Sequence, residues 1–344
     1  MSNEILATIA FNVIAFSWMV YLVQELFIAG SSAMNMAVVK SEGERRQIQV
    51  ATGIHWDGIE VWLIAAIALT FGAFPLAFGT VFTYYYVVLF LLVYALIGRG
   101  VSIEVIYKID SKRWLKSVVL AWTISSTLIL FILGVFITNT FLGFPYDANG
   151  EMSKSFVSAF NVTSISGGLL FVALGLIAGS GWINLTTEGE LGLRANNFVK
   201  KFGVIYAVPI LILLVFMGYN NSEASLFIGE LFTAVPLMFV LPIFTITFAL
   251  ITTYCGYKGQ TTRMFNGALL TMVFFLITGF MGSFPYIVPS YIAVENGITI
   301  FDAMAASKSL SVILIAIAIF YPIIIGYQTW KYIMFTKKVK FNDE

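Results

Sequence analysis

The stretch IHWDGIEVWLIAAIALTFGAFP, Ile54–Pro75, sets a histidine, an aspartate and a glutamate between two tryptophans and then runs apolar to a proline. A helix needs about 20 mostly apolar residues to cross a bilayer, and this segment supplies them with its charge gathered at one end. The pattern recurs along the chain. Of 344 residues, 59% are hydrophobic and 11% charged, and the mean hydropathy is +0.92; a soluble domain is roughly a quarter charged. The runs are continuous rather than alternating, which excludes an outer-membrane barrel. The expected class is an all-α polytopic membrane protein.

Nine segments are long enough to span: 5–30, 55–77, 80–98, 117–141, 157–184, 202–219, 226–254, 265–284 and 309–334. Charge asymmetry tests the count, because Lys and Arg collect in cytoplasmic connections. The connections after segments one, three, five and seven, with the tail, hold 17 of the 19 basic residues; Lys154 and Lys308 alone fall on the other side. Nine helices are therefore expected, N-terminus outside and C-terminus cytoplasmic. The first segment has neither a basic flank nor a small-residue cleavage site, so it reads as an uncleaved span. The whole chain reads as one integral membrane domain, with a first bundle over 1–142, remaining helices over 143–334 and a cytoplasmic tail over 335–344.

Three outer connections repeat a theme, AFPLAFG (73–79), GFPYDANG (143–150) and SFPYIVPS (283–290). Proline stops a helix and aromatic rings suit the interfacial layer. Cys255 sits in an apolar run and reads as a small hydrophobe. No nucleotide-binding, zinc or nucleophile-elbow motif occurs, and the basic residues flank spans, so nucleic-acid binding has no support.

The opening stretch lies where the chain re-enters the membrane from the cytoplasm. Equal counting from an outer turn near residue 78 puts Asp57 level with Arg99, where an ion pair is feasible. Glu60 lies three residues on, and Glu104 follows Arg99. Glu25 is a further acid in the inner third of the first segment. Two readings stand. Asp57-x-x-Glu60 has the form of a capping box, with Arg99 at a helix C-terminus. Alternatively, acids at bilayer depth cost roughly 2.5–3.5 kcal/mol each and mark a cavity, a partner or a proton path, with Arg99 holding them ionised.

His55 is the sole histidine. A bis-histidine haem needs two and a histidine-metal cluster more than one, so no metal is expected in this chain and His55 reads as a helix-start hydrogen bond or as a support to neighbouring polar groups. Glu190 and Arg194, spaced i,i+4, brace a short cytoplasmic helix. Asp302 precedes the last segment as a cap or a subunit contact.

GIHWDGIEVWLI (53–64) resembles the HWDGxxVWL signature of subunit II of cytochrome bd-type quinol oxidases. GRGVSIE (98–104), TEGELGLRA (187–195), FPYIVPS (284–290) and FDAMAASKSLSVIL (301–314) resemble later segments of that family in order. His55, Trp56, Gly58, Trp62, Glu190, Arg194, Pro285 and Asp302 fall within these matches.

The resemblance implies nine spans in two four-helix bundles plus a peripheral helix. It implies pairing with a subunit I that carries haems b and d and the quinol site, no cofactor bound by this chain, and a place in the bacterial inner membrane among lipid, quinone and small single-span subunits. It also implies that Asp57, Glu60, Arg99 and Glu104 belong to a cytoplasmic proton route. One departure is visible: the family's DGFDxG-like stretch is replaced by IAGSSAMNMA (28–37), which has no acid, so that either Glu25, one to two turns earlier, substitutes for it or the proton route runs elsewhere. A secondary transporter and a structural membrane subunit without a proton role are the competing functions. Pro209, Pro236 and Pro242 interrupt spans as in transporters, but the first half has no matching set.

Overall fold

In the computed structural model the described residues are 2–108, 111–152, 155–203, 207–208, 211, 235–336 and 338–339. They form α1 (Asn3–Ala33), α2 (Asn35–Val38), α3 (Glu42–Gly53), α4 (Trp56–Ala73), α5 (Pro75–Tyr84), α6 (Tyr86–Val105), α7 (Lys112–Leu142), α8 (Val162–Thr186), α9 (Leu191–Phe202), α10 (Val240–Tyr257), α11 (Thr261–Ser283), α12 (Ile300–Ala303) and α13 (Ser307–Phe335). One small antiparallel pair joins β1 (Tyr286–Val288) to β2 (Ile298–Thr299). Among the described residues eight helices are long and apolar enough to cross a membrane. They fall on eight of the nine expected segments; most of the sixth, 202–219, lies outside the described residues.

In hydrocarbon the backbone must satisfy itself, which is why these runs are helices. Hydroxyls within them turn back on their own helix: Ser31 Oγ donates to Phe27 O at 2.6 Å and Thr271 Oγ1 to Gly267 O at 2.8 Å. α1 is the hub, packing against α4, α7 and α8, while α6 lies on α7 and α10 on α11. The α1–α8 crossing is backbone on backbone. A Cβ on Gly30 would stand 1.8 Å from Gly175 O, so only hydrogen fits between the two chains. α13 is peripheral, touching α1 and α4 and burying only Leu310, Gln328 and Lys331.

The three proline-bearing connections converge at one end. Phe144 N donates to Pro289 O at 2.8 Å, Ser290 Oγ to Tyr146 O at 2.6 Å, and Ala305 N to Ala73 O at 2.8 Å. Three of the basic connections and the tail meet at the other end. Trp182 Nε1 reaches Ala51 O at 2.9 Å, Gln49 Nε2 reaches Ile103 O at 2.9 Å, and Val339 N reaches Thr186 O at 2.8 Å.

The turn between the second and third spans is not a simple hairpin. Pro75 begins a helix of its own, α5, ten residues long. Proline is tolerated at a first helical position because its missing N–H would be unpaired there anyway. The added helix changes which residues of α4 and α6 lie level with one another.

Candidate functional site

Arg99, on α6, is completely buried. Its guanidinium forks between two acids from two other helices. Nη1 pairs with Glu25 Oε1 of α1, and Nη2 donates to Glu60 Oε1 of α4 at 2.9 Å. Glu25 is fully buried, whereas the Glu60 side chain keeps 20% of its surface exposed. Arg suits this position because its planar fork can serve two carboxylates at once. Glu25 Oε2 and Arg99 Nε make no hydrogen bond, so the site holds unused capacity to accept and to donate.

Asp57 is not part of this triad. It is exposed, and its Oδ1 accepts from Gly58 N at 2.6 Å. The expected Asp57–Arg99 pairing fails because α5 moves the level partner of Arg99 by three residues, to Glu60. Glu60, almost one turn further into the span than Asp57, is the acid of α4 that reaches the guanidinium. The capping box is absent too. α4 starts at Trp56 with His55 as its cap residue and no side-chain cap bond, which puts Asp57 and Glu60 too far along the helix for that motif.

Glu104 is exposed near the end of α6. Five residues from Arg99, it points about 140° away around the helix and does not join the cluster.

His55 is buried at the foot of α4. Its ring stacks on Tyr332 of α13 at 4.5 Å and 9°, and Trp182 of α8 meets it edge-on at 5.3 Å. Its Nδ1 has no hydrogen-bond partner, so it serves as a packed ring rather than the expected helix-start donor or acceptor. Among the described residues no group of three or more His, Cys, Asp or Glu could hold a metal. The Trp56 ring covers Gly100. Trp62 is buried edge-on to Phe16 and Tyr321 at 6.0 and 5.5 Å.

The Glu190–Arg194 brace exists, at 3.5 Å, but Glu190 is 82% exposed. The better-sheltered partners of Arg194 are Glu44 of α3 and Val38 O, the latter at 3.0 Å, so Arg194 ties α9 to the connection that follows the first span. Asp302 forms a capping box with Thr299 at the start of α12. Pro285 follows a cis peptide bond in the converged end. Cys255 is buried and unpaired.

Sequence reasoning overlooked Tyr21, Gln328 and Lys331. Tyr21 lies one turn from Glu25 on α1, fully buried, its hydroxyl without a partner. Gln328 and Lys331 share a face of α13 and are buried; two polar residues at i,i+3 in an otherwise apolar helix were the available signal.

The fold and site define a class: a helical multi-pass membrane protein with a buried acid–arginine–acid triad joining its first, second and third spans. Within that class the chain belongs to the cytochrome bd terminal oxidase subunit II family, whose profile matches residues 6–335. It is 31% identical over 307 residues to cytochrome bd ubiquinol oxidase subunit 2 of Bacillus subtilis (strain 168), covering 88% of each chain. It is 23% identical over 338 residues to cytochrome bd-I ubiquinol oxidase subunit 2 of Escherichia coli (strain K12), covering 91% of this chain and 89% of that one. The fold is similar to a chain in the structure of bd oxidase from Geobacillus thermodenitrificans, with a TM-score of 0.71 and 16% identity over 96% of this chain and 98% of that one.

Proposed function

We propose that this chain is the haem-free subunit II of a bd-type quinol:O₂ oxidoreductase and that its Glu25–Arg99–Glu60 triad carries protons from the cytoplasm toward the oxygen-reducing centre. Its relatives are named as subunits of cytochrome bd ubiquinol oxidase, and it acts as a subunit of that enzyme rather than alone. The haems and the quinol site belong to subunit I. The chain crosses the cytoplasmic membrane nine times in two four-helix bundles plus α13, with its N-terminus outside. In support, 17 of 19 basic residues gather at one set of connections, and the proline-bearing connections meet at the opposite end.

One observation carries the proton reading: two carboxylates share one buried guanidinium. With both acids ionised the triad has a net charge of −1; with one proton on the pair it is neutral. A site that alternates between these states accepts a proton through Glu60, the member with exposed surface, and holds it at Glu25, the buried one. Glu25 thereby takes the place of the acids that the family carries slightly further along its first span.

The test is Glu25→Gln in the purified complex, with quinol oxidase turnover and reduced-minus-oxidised haem spectra recorded together. Turnover is expected to fall by about 10²-fold, the usual scale for losing a positioned proton-transfer group, with haem content unchanged. Glu25→Asp, which keeps the carboxyl, is expected to restore part of it. Full turnover in Glu25→Gln would remove the triad from the proton route.

A further inference from the structure

Asp57 faces a different feature from the triad. A cavity of about 370 Å³ opens between α4 and α13, lined by Asp57, Gly58, Val61, Tyr327, Gln328 and Lys331 among others. Lys331 is 5% exposed, and its Nζ has no hydrogen-bond partner. No carboxylate among the described residues lies within ion-pair distance of it; the acid lining the same cavity, Asp57, stays beyond that range. A buried ammonium without an anion is costly, so the lysine is poised for one.

The surroundings are built around that ammonium. Gln328 Nε2 donates to Gly58 O at 2.6 Å, fixing its amide, while its Oε1 is left without a partner. A Cβ on Gly58 would fall 2.2 Å from Lys331 Nζ, so glycine is what lets the charged end lie against the α4 backbone. This accounts for the glycine of the HWDG stretch without reference to the triad.

Depth indicates where an occupant comes from. Lys331 lies four residues before the end of α13, about 6 Å at 1.5 Å per residue. Tyr327 and Trp330, exposed and 6.0 Å apart, mark the same level as an interfacial aromatic pair. Outward from there α13 is apolar and exposed, with Ile319, Phe320 and Ile323 on its surface. The cavity therefore opens at headgroup level beside a lipid-facing helix. Its formal charges are one ammonium and one carboxylate, which a zwitterion complements better than a simple anion.

We infer that this cavity binds a phospholipid whose headgroup carries a primary ammonium, its phosphate accepting from Lys331 Nζ and its ammonium donating to the Asp57 carboxylate, with the acyl chains lying along α13. The lipid would pin the peripheral helix to α4 next to the triad.

The test uses the whole complex. Native mass spectrometry in mild detergent counts retained phospholipid for the wild type and for Lys331→Met. In parallel, the delipidated wild type is titrated with phosphatidylethanolamine, phosphatidylcholine, phosphatidylglycerol or inorganic phosphate while its thermal midpoint is followed. Retained phosphatidylethanolamine and a midpoint raised by that lipid alone are expected, with affinity about tenfold lower in Lys331→Met, the scale of one charge-assisted contact. Equal response to phosphatidylglycerol or phosphatidylcholine overturns the role of the primary ammonium. A response to inorganic phosphate alone overturns the lipid as source. No response to any of them, or undiminished lipid in Lys331→Met, overturns the site. Should the variant fail to assemble, the wild-type titration decides.

Discussion

Arg99 and Glu60 meet at 2.9 Å across two helices and 39 residues of sequence, while Asp57, on the same helix as Glu60, looks away toward Lys331. The consequence is a division of labour along α4. Glu60 completes a buried electrostatic network, and Asp57 belongs to a surface cavity. The two acids should therefore respond differently to neutralisation. Glu60→Gln weakens the triad directly, and turnover is expected to fall by about 10-fold or more, toward the range for a lost proton-transfer group. Asp57→Asn keeps a carbonyl for the Gly58 N–H and leaves the triad intact, so the expected loss is several-fold smaller. Equal losses in the two variants, measured as quinol-dependent O₂ consumption per haem, would argue that Asp57 works in series with the triad.

Arg99 is the member the fold can least do without. Its removal leaves Glu25 fully buried and facing Glu60 with no counter-charge. Breaking a buried pair from one side costs about 3–5 kcal/mol, comparable with the whole stability margin of many domains. Arg99→Gln is expected to give little assembled complex. Arg99→Lys keeps the charge but serves two carboxylates poorly, so intermediate yield is expected. Adding Glu25→Gln to Arg99→Gln should recover assembly, because the orphaned charge is gone. Size-exclusion yield with haem absorbance reads all three, and no recovery in the double variant would show that Arg99 matters for packing rather than charge.

The spans and the charged threshold were legible in the sequence because both are one-dimensional: run length fixes a helix, and basic residues mark its ends. Partner choice within the cluster was not. Counting symmetrically about residue 78 assumed a plain turn, and the ten-residue helix begun by Pro75 displaced the pairing from Asp57 to Glu60. Glu25 was recognisable as a costly acid, yet its contact with Arg99 spans 74 residues and depends on how α1 packs, which no local pattern encodes. The burial of Lys331 was not legible either, because what covers this lysine near a helix end is α4, far away in the sequence.

The α1–α8 crossing sets the position of Glu25, since α1 carries both. Gly30 lies five residues beyond Glu25, and a methyl there collides with Gly175 O at 1.8 Å, a backbone atom that cannot rotate away. Gly30→Ala should push the helices apart and cost about 1–3 kcal/mol, the usual range for overpacking. It should also loosen the Glu25–Arg99 pair at a distance. The expected result is a lowered thermal midpoint together with reduced turnover. A lowered midpoint with full turnover would mean that the triad tolerates movement of α1.

His55 offers the sharpest test of a structural role, because it is the sole histidine of the chain and its ring is held by rings. Stacked on Tyr332 and edge-on to Trp182, with Nδ1 unpartnered, it contributes area rather than a hydrogen bond through that atom. A phenyl ring keeps the flat stacking face but is larger by one ring atom. His55→Phe is therefore expected to assemble with a cost of about 1–3 kcal/mol, the range for overpacking, and to keep its turnover. His55→Ala opens a cavity between α4, α8 and α13 and should cost about 2–5 kcal/mol, freeing the peripheral helix at the end where Lys331 lies. If instead Phe is as damaging as Ala, in thermal midpoint and in turnover alike, then the imidazole nitrogens matter, and His55 must be placed within the proton path beside Glu60.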